Sequence, residues 1–205
     1  MTSKGPRIGI MGGTFDPVHY GHLVTAEGAR CEYKLDQVLF LPSGKPPHKS
    51  MKRVSDAEHR YMMTVLAILT NPHFGVSRLD IDREGFSYTI DALRRLRAEY
   101  GPDAELFFIT GADAILEINQ WKDSDEYLDI AHFIAAARPG FCLEELPQAT
   151  QDWVGQHGDR FHVLNVPAMA ISSTEIRERV RTGKSIRYLV PESVEHYIKR
   201  NTLYL

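Results

Sequence analysis

A short motif near the start of the chain combines two glycines, a turn-forming Asp-Pro pair and two histidines: Gly12-Gly13-Thr14-Phe15-Asp16-Pro17-Val18-His19-Tyr20-Gly21-His22. The apolar run 7–10 before it indicates a buried strand, and residues 23–30 after it suit a helix. Glycines without a Cβ let the backbone approach a ligand closely. A helix N-terminus offers N–H groups and a partial positive charge to an anion. The motif therefore predicts a phosphate site that contains two imidazole rings.

Two simpler interpretations of this motif are a tight turn and a metal site. Many glycine-containing connections between a strand and a helix bind nothing. His19 and His22 are three residues apart, a spacing that places metal ligands on one face of a helix. A zinc site needs three or four ligands, however, and no neighbouring Cys, His, Asp or Glu completes one. We therefore expect no metal bound directly to the protein.

The motif resembles the signature of the nucleotidyltransferase superfamily that carries (Thr/His)-x-Gly-His, and almost the whole chain resembles the bacterial nicotinate-nucleotide adenylyltransferases. The resemblance implies transfer of AMP from ATP to nicotinate mononucleotide in NAD biosynthesis, with Mg²⁺ carried by the ATP phosphates. It implies that His19 and His22 are catalytic, and a bound phosphate should favour their charged forms. It assigns four further residues to ATP: Gly12, Gly13, Thr14 and Phe15. Of these, Thr14 would also contact the mononucleotide.

A second stretch, Ile171-Ser172-Ser173-Thr174-Glu175-Ile176-Arg177, has the composition of a helix start. Ser172 and Glu175 fit a capping box, which by itself requires no further function. Arg177 would add a planar donor fork suited to phosphate. The stretch resembles the Ile-Ser-x-Thr-x-Ile-Arg motif of the same superfamily, which implies contacts with the outer ATP phosphates. The residues so assigned are Ile171, Ser172, Ser173, Thr174 and, as a catalytic residue, Arg177.

Two loops supply further candidates for the nucleotide phosphates and the adenosine. The stretch Pro46-Pro47-His48-Lys49 matches one that provides a cation in the adenylyltransferases, so Lys49 is assigned to catalysis and to the mononucleotide phosphate. Gly111 and Asp113 follow the fourth predicted strand and are assigned to ATP. Asp113 could bind a ribose hydroxyl or could simply cap a helix.

Three features indicate where nicotinate mononucleotide would bind. Tyr88 and Thr89 open a helix whose N–H groups suit a small carboxylate, although a simple helix start is the alternative. Trp121 lies among polar residues, where its indole could stack on a pyridinium ring. Arg138 follows the fifth strand and completes the family pattern. Lys122 departs from that pattern, because some relatives have an aromatic residue there.

Alternating apolar runs and helical patterns predict an α/β fold: a single Rossmann-like, doubly wound domain over residues 1–205, with a mostly parallel sheet and a small helical C-terminal part. We predict strands at 7–10, 37–41, 74–79, 105–110, 133–137 and 161–166, and helices at 23–30, 55–70, 88–100, from 171 and from 191 to 199. Ser55 is the predicted N-cap of the second of these helices. The first and fourth strands are the expected neighbours at the switch point, where ligands bind. Their following loops should therefore face one another.

Composition limits the other functional classes. The chain has 205 residues, 25% charged residues and a net charge of −3, so it lacks the basic field of a nucleic-acid-binding protein. Its 2 cysteines form no framework, and we expect a cytoplasmic protein without membrane contact. Homo-oligomerisation stays open. We expect ATP and nicotinate mononucleotide as its partners.

Competing nucleotide-binding motifs fit the sequence poorly. The residues after the first strand do not match Gly-x-Gly-x-x-Gly, and Gly183-Lys184-Ser185 lacks the first P-loop glycine. The closest rival is a sister enzyme such as phosphopantetheine adenylyltransferase or a cytidylyltransferase. A module that binds ATP without turning it over is the rival from another class, and intact His22 and Arg177 argue against it.

Overall fold

The computed structural model describes residues 5–46, 54–116, 118, 121–137, 147–156, 158–167 and 169–205, with the backbone alone at 112, 113, 125 and 156. The strands are β1 (Arg7–Gly13), β2 (Gln37–Pro42), β3 (Phe74–Val76), β4 (Glu105–Gly111), β5 (His132–Ala137) and β6 (Phe161–Asn165). The helices are α1 (Tyr20–Glu32), α2 (Ala57–Ile68), α3 (Thr89–Tyr100), α4 (Ala112–Ile115), α5 (Tyr127–Ile130), α6 (Gln148–Gln156), α7 (Ser173–Arg181) and α8 (Glu192–Arg200). This alternation confirms the predicted α/β class.

The six strands follow the order β3-β2-β1-β4-β5-β6 in the sheet. Strand β1 pairs in parallel with β4, with Met11 opposite Ile109, and the β4–β5 and β5–β6 pairs are parallel as well. The strand order therefore reverses at β1 and β4, which confirms that the first and fourth strands are neighbours at the switch point. The apolar runs of β4 and β5 are almost continuous because parallel strands are buried on both faces.

The chain folds as two compact units. The first comprises Met1–Gly12, Thr25–Val38 and Tyr88–Ala168, and the second comprises Gly13–Val24, Leu39–Ser87 and Met169–Leu205. In the first unit, the apolar stripe predicted for α3 is buried through Ile90, Leu93 and Leu96. In the second unit, α2 packs against α8 and β3. The interpretation of residues 1–205 as one nucleotidyltransferase domain stays a prediction.

The structure moves the boundaries of the first strand and helix. Strand β1 continues through Gly12 and Gly13, so these glycines belong to the strand and not to a turn. A Cβ on Gly13 would lie 2.8 Å from the Phe15 ring, which gives this glycine a packing role as well. Helix α1 begins at Tyr20, earlier than predicted, because the His19 carbonyl already accepts the amide of Leu23. His22 therefore lies in the first turn of α1.

The predicted cap of the second helix is wrong. Asp56 and not Ser55 caps α2, and its carboxylate accepts the amide of Glu58 at 2.8 Å. The backbone of Ser55 is used elsewhere, since its amide donates to Asp16 and its carbonyl accepts from Arg60. Strand β3 ends at Val76, three residues earlier than predicted. Throughout the part of the chain that is described, no helix has both the length and the apolar character needed to cross a membrane.

Candidate active site

Two histidines stack at the start of α1 in the second unit. The rings of His19 and His22 lie 3.7 Å apart, centroid to centroid, and the Phe15 ring meets His22 edge-on at 5.1 Å. The His19 amide donates to the Nδ1 of His22 at 3.2 Å. Since Nδ1 is the acceptor in this bond, the neutral His22 ring carries its proton on Nε2. His22 thus offers an Nε2–H donor whose orientation is set by the backbone.

His19 differs sharply from His22 in its environment. Only 6% of His19 is exposed, and burial lowers its pKa to about 4. None of the described residues provides a hydrogen-bond partner for its Nδ1. Gly21 leaves room for this ring, because a Cβ there would lie 3.0 Å from Nδ1. In this environment His19 is neutral at pH 7, and a phosphate would have to overcome its burial to charge it.

The second predicted phosphate motif lies against the first. Ser172 caps α7 as predicted, with its hydroxyl accepting the amide of Glu175 at 3.1 Å. The hydroxyl of Ser173 donates to the Pro17 carbonyl at 2.9 Å. Arg177 donates from Nη1 to the Asp16 carbonyl at 2.7 Å. Helix α7 is thus bonded to the connection between β1 and α1, so the second motif meets residues 13–22 of the first motif within the second unit.

Arg177 has a fixed guanidinium orientation. While Nη1 binds the Asp16 carbonyl, Nη2 donates to the Thr174 hydroxyl at 3.2 Å. The side chain remains 29% exposed, so its fork is held in place without being fully enclosed. Such an arrangement leaves guanidinium N–H groups for an anion, since the fork carries five donors.

Sequence reasoning missed the buried charges behind this site. Asp16, predicted only as a turn former, is 2% exposed and accepts bonds from the Tyr204 hydroxyl and the Ser55 amide. Arg60 is completely buried and donates to the carbonyls of three residues at 2.8–2.9 Å: Thr14, Gly44 and Ser55. One signal was available, because Arg60 falls on the face of α2 that Met63 also occupies.

The residues predicted to bind the nicotinate ring lie in the first unit. Tyr88 forms the N-cap of α3 without a side-chain cap, and Thr89 begins the helix. The buried Tyr127 hydroxyl lies at this helix start. Burial raises the pKa of Tyr127, and hydrogen bonds with the Ile90 backbone and the Thr89 side chain partly oppose that rise. One predicted anion-binding N–H group, that of Ile90, therefore already faces a tyrosine.

Trp121 is half-buried and lies among aromatic rings. Its indole meets Phe108 edge-on at 6.3 Å and Tyr127 at 5.7 Å. The adjacent Lys122, which departs from the family pattern, places its ammonium 3.2 Å from the Asp91 carboxylate and 5.0 Å from the centre of the Tyr88 ring. Lys122 thus forms an ion pair with Asp91, which lies in the first turn of α3.

The remaining predicted site residues have different outcomes. Gly111 is the N-cap of α4, which makes Asp113 the second residue of that helix and excludes the alternative that Asp113 is its cap. The Asp113 side chain is not among the described parts of the structure, so its contact with ribose stays a prediction. Lys49 and Arg138 lie outside the described residues. Ile171 lies beside the motif of α1, since its carbonyl would be 3.9 Å from a Cβ on Gly21.

The chain matches a known protein family over most of its length. A family model described as cytidylyltransferase-like covers residues 10–179. A protein of Moorella thermoacetica is 57% identical over 204 residues, which is all of this chain and 94% of that protein, and is named probable nicotinate-nucleotide adenylyltransferase. A Thermoanaerobacter protein with the same name is 54% identical over 97% of this chain and 94% of its own length.

Solved structures share the fold. The nicotinic acid mononucleotide adenylyltransferase of Plasmodium falciparum in complex with NaAD superposes with a TM-score of 0.78, covering 97% of each chain at 20% identity. The same enzyme complexed with APC gives 0.77 at 19% identity. At this level of identity the likeness supports the arrangement of strands and helices alone.

Proposed function

The chain belongs to the nicotinate-nucleotide adenylyltransferases, and from that premise we propose that it transfers the adenylyl group of ATP to nicotinate mononucleotide. A phosphate oxygen of the mononucleotide attacks the α-phosphorus of ATP. The bond from that phosphorus to the oxygen leading to the β-phosphate breaks, and pyrophosphate leaves. The products are nicotinate adenine dinucleotide and pyrophosphate. We propose that Mg²⁺ arrives with ATP and leaves with pyrophosphate, and that the reaction takes place in the cytoplasm.

The observation that carries this proposal is the bond from Arg177 to the Asp16 carbonyl, three residues before the stacked histidine pair. It ties the helix start of α7 to the helix start of α1, so two groups of N–H donors and a guanidinium serve one polyphosphate. The attacking phosphate is already an anion and requires no general base. Catalysis then depends on in-line positioning, which can contribute roughly 7–11 kcal/mol, and on stabilising charge on the leaving group.

We assign the roles of the second unit accordingly. The Nε2–H of His22 donates to an ATP phosphate oxygen as charge develops. The His19 ring stacks on the His22 ring and holds its plane. Arg177 and the first-turn N–H groups of α7, at Ser173 and Thr174, hold the departing pyrophosphate. Lys49 is proposed as a further cation for the phosphates.

In the first unit, we propose that Trp121 stacks on the pyridinium ring and that the Thr89 amide and the Lys122 ammonium favour its carboxylate. Nicotinate carries this negative charge and nicotinamide does not, so a nearby ammonium discriminates between them electrostatically. The Asp91 partner keeps Lys122 in place at 3.2 Å. Arg138 and Tyr88 are proposed as further contacts to the mononucleotide.

The experiment is pyrophosphate release by the purified protein with Mg²⁺ and ATP, supplied separately with nicotinate mononucleotide, nicotinamide mononucleotide or phosphopantetheine. We expect turnover with the first substrate and much slower turnover with the second. Rapid turnover with phosphopantetheine alone would identify a sister enzyme. ATP binding without pyrophosphate release from any acceptor would identify a binding module.

A further inference from the structure

Outside the residues assigned to substrates, we propose that Tyr204 is a positioning residue for the phosphate-binding arginine: its hydroxyl holds the Asp16 carboxylate and so keeps Arg177 available to ATP. The inference rests on the proposed function, because it takes Arg177 as the group that binds the phosphates. Tyr204 itself touches no substrate in this scheme.

The Asp16 carboxylate is buried and both of its oxygens accept a hydrogen bond. Oδ1 accepts the Tyr204 hydroxyl at 2.8 Å, and Oδ2 accepts the Ser55 amide at 3.2 Å. Burial and the charge of Asp16 raise the pKa of Tyr204, so its hydroxyl keeps the proton that it donates. The carboxylate therefore has hydrogen-bond donors at both ends apart from any guanidinium.

Arg177 already forms a long ion pair with this carboxylate. Its Nη1 is 4.0 Å from Oδ2 of Asp16, while the same nitrogen donates to the Asp16 main-chain carbonyl at 2.7 Å. A carboxylate and a guanidinium attract each other strongly when both are shielded from water. The Tyr204 hydroxyl and the Arg177 guanidinium are thus alternative donors to one buried anion.

Removing the Tyr204 hydroxyl leaves Oδ1 of Asp16 buried without its donor. A buried charge in that position takes another donor. Two guanidinium groups act on the Asp16 carboxylate, those of Arg60 and Arg177. Arg60 is held by three carbonyls, whereas Arg177 is bonded to one carbonyl and one hydroxyl and is 29% exposed, so Arg177 is the one that can turn. As the 4.0 Å distance between Arg177 and Asp16 shortens, the guanidinium of Arg177 turns toward the carboxylate. Binding of ATP then has to compete with a closer internal ion pair, which raises the KM for ATP.

The test compares Tyr204→Phe with Tyr197→Phe. Tyr197 is a matched control because it is also a tyrosine whose hydroxyl is hydrogen-bonded within the second unit, to Nδ1 of His59 at 2.9 Å, away from Asp16. We expect Tyr204→Phe to raise the KM for ATP about tenfold, with a smaller change in kcat. A tenfold change corresponds to the loss of one hydrogen bond to a charged group. Tyr197→Phe should leave the KM for ATP within about twofold of wild type.

A double-mutant cycle separates positioning from general stabilisation. If Tyr204 acts through Asp16, Tyr204→Phe should change the KM for ATP less than about twofold in an Asp16→Asn background, since no anion remains to capture Arg177. Equal effects in both backgrounds would overturn the proposal. So would a Tyr204→Phe protein that loses thermal stability but keeps the wild-type KM for ATP.

Arg177→Ala distinguishes failure of this inference from failure of the proposed function. If Arg177→Ala leaves the KM for ATP unchanged, the phosphate-binding role of Arg177 is wrong. If it raises the KM while Tyr204→Phe behaves like Tyr197→Phe, the role of Arg177 stands and the positioning role of Tyr204 alone is wrong.

Discussion

The backbone amide of His19 donates to Nδ1 of His22 at 3.2 Å, while the two imidazole rings stack 3.7 Å apart. One bond fixes the tautomer of His22 and one ring contact fixes its plane. The remaining ring nitrogen, Nε2, is therefore a preorganised donor. A donor held in this way suits a reaction whose transition state gains charge on phosphate oxygens, because no reorganisation is needed as the charge develops.

Replacing His22 with Ala should lower kcat by about 10²–10³, the effect of losing one preorganised donor. The free energy of unfolding should change by less than about 1 kcal/mol, because the ring is only partly buried. Pyrophosphate release under saturating ATP and nicotinate mononucleotide measures the first quantity, and urea denaturation measures the second.

His196 provides the control for this prediction. It is 70% exposed on α8 and lies outside the proposed site, so His196→Ala should retain wild-type kcat. A His22→Ala protein with wild-type kcat would remove His22 from the mechanism.

The burial of His19 predicts a pH dependence of stability. Its pKa is about 4 in the folded chain and near the ordinary value of 6.5 in the unfolded chain. Between these values the unfolded state binds more protons, so stability is greatest above pH 6.5 and falls as the pH drops toward 4. At pH 5 this residue alone should cost on the order of 2 kcal/mol relative to pH 7.5.

Urea denaturation of wild type and His19→Gln at pH 7.5 and pH 5.0 measures this dependence. Burial also lowers the pKa of His132 and His162, but both proteins retain these residues, so the difference between the two pH slopes isolates His19. The variant should lose about 2 kcal/mol less than wild type over this interval. Parallel slopes would show that folding does not lower the pKa of His19.

The order of the elements was predictable because apolar runs in a parallel sheet are nearly continuous. The runs that became β4 and β5 could be placed to within one or two residues. Ends of elements were less predictable, since they depend on hydrogen bonds that compete locally. Ser55 and Asp56 are both good caps, and the amide of Ser55 was instead bound by Asp16, which is distant in sequence.

The places of the motif residues in the fold were predictable in the same way, while their roles in the site stay predictions. His22 and Ser172 could be placed at helix starts, and Arg177 one turn into α7, because their spacing is recognisable. Tyr204 could not, because its contact with Asp16 spans 188 positions and follows no periodic pattern. Buried partners of this kind require knowledge of which segments the fold brings together.

Replacing Trp121 with Ala should weaken binding of nicotinate mononucleotide about tenfold and leave ATP binding unchanged. The expected loss follows from removing a stacked aromatic face from a positively charged ring. Calorimetry with each ligand provides the two values of Kd. Trp121→Phe is the matched variant and should recover most of the affinity, because it retains an aromatic face. If Trp121→Ala binds the mononucleotide as tightly as wild type, the ring does not stack there.

Arg60 should be the residue of α2 whose replacement destabilises the protein most. Its fork donates to the carbonyls of Thr14, Gly44 and Ser55, and it is fully buried. Arg60→Met removes all three bonds and leaves those carbonyls without their donor, which should lower the free energy of unfolding by about 3–5 kcal/mol. Arg60→Lys should recover only part of this loss, because one ammonium cannot reproduce a planar fork.

The control for Arg60 is an arginine whose polar contacts lie on the surface. Arg78 pairs with Glu58 and Asp82 but is 38% exposed, so Arg78→Met should cost much less stability than Arg60→Met. Urea denaturation of both variants at one pH compares the two. Because Thr14 belongs to the motif proposed to bind the ATP phosphates, Arg60→Met should also raise the KM for ATP, and Arg78→Met should not. Equal losses of stability would mean that the three bonded carbonyls find water in the variant.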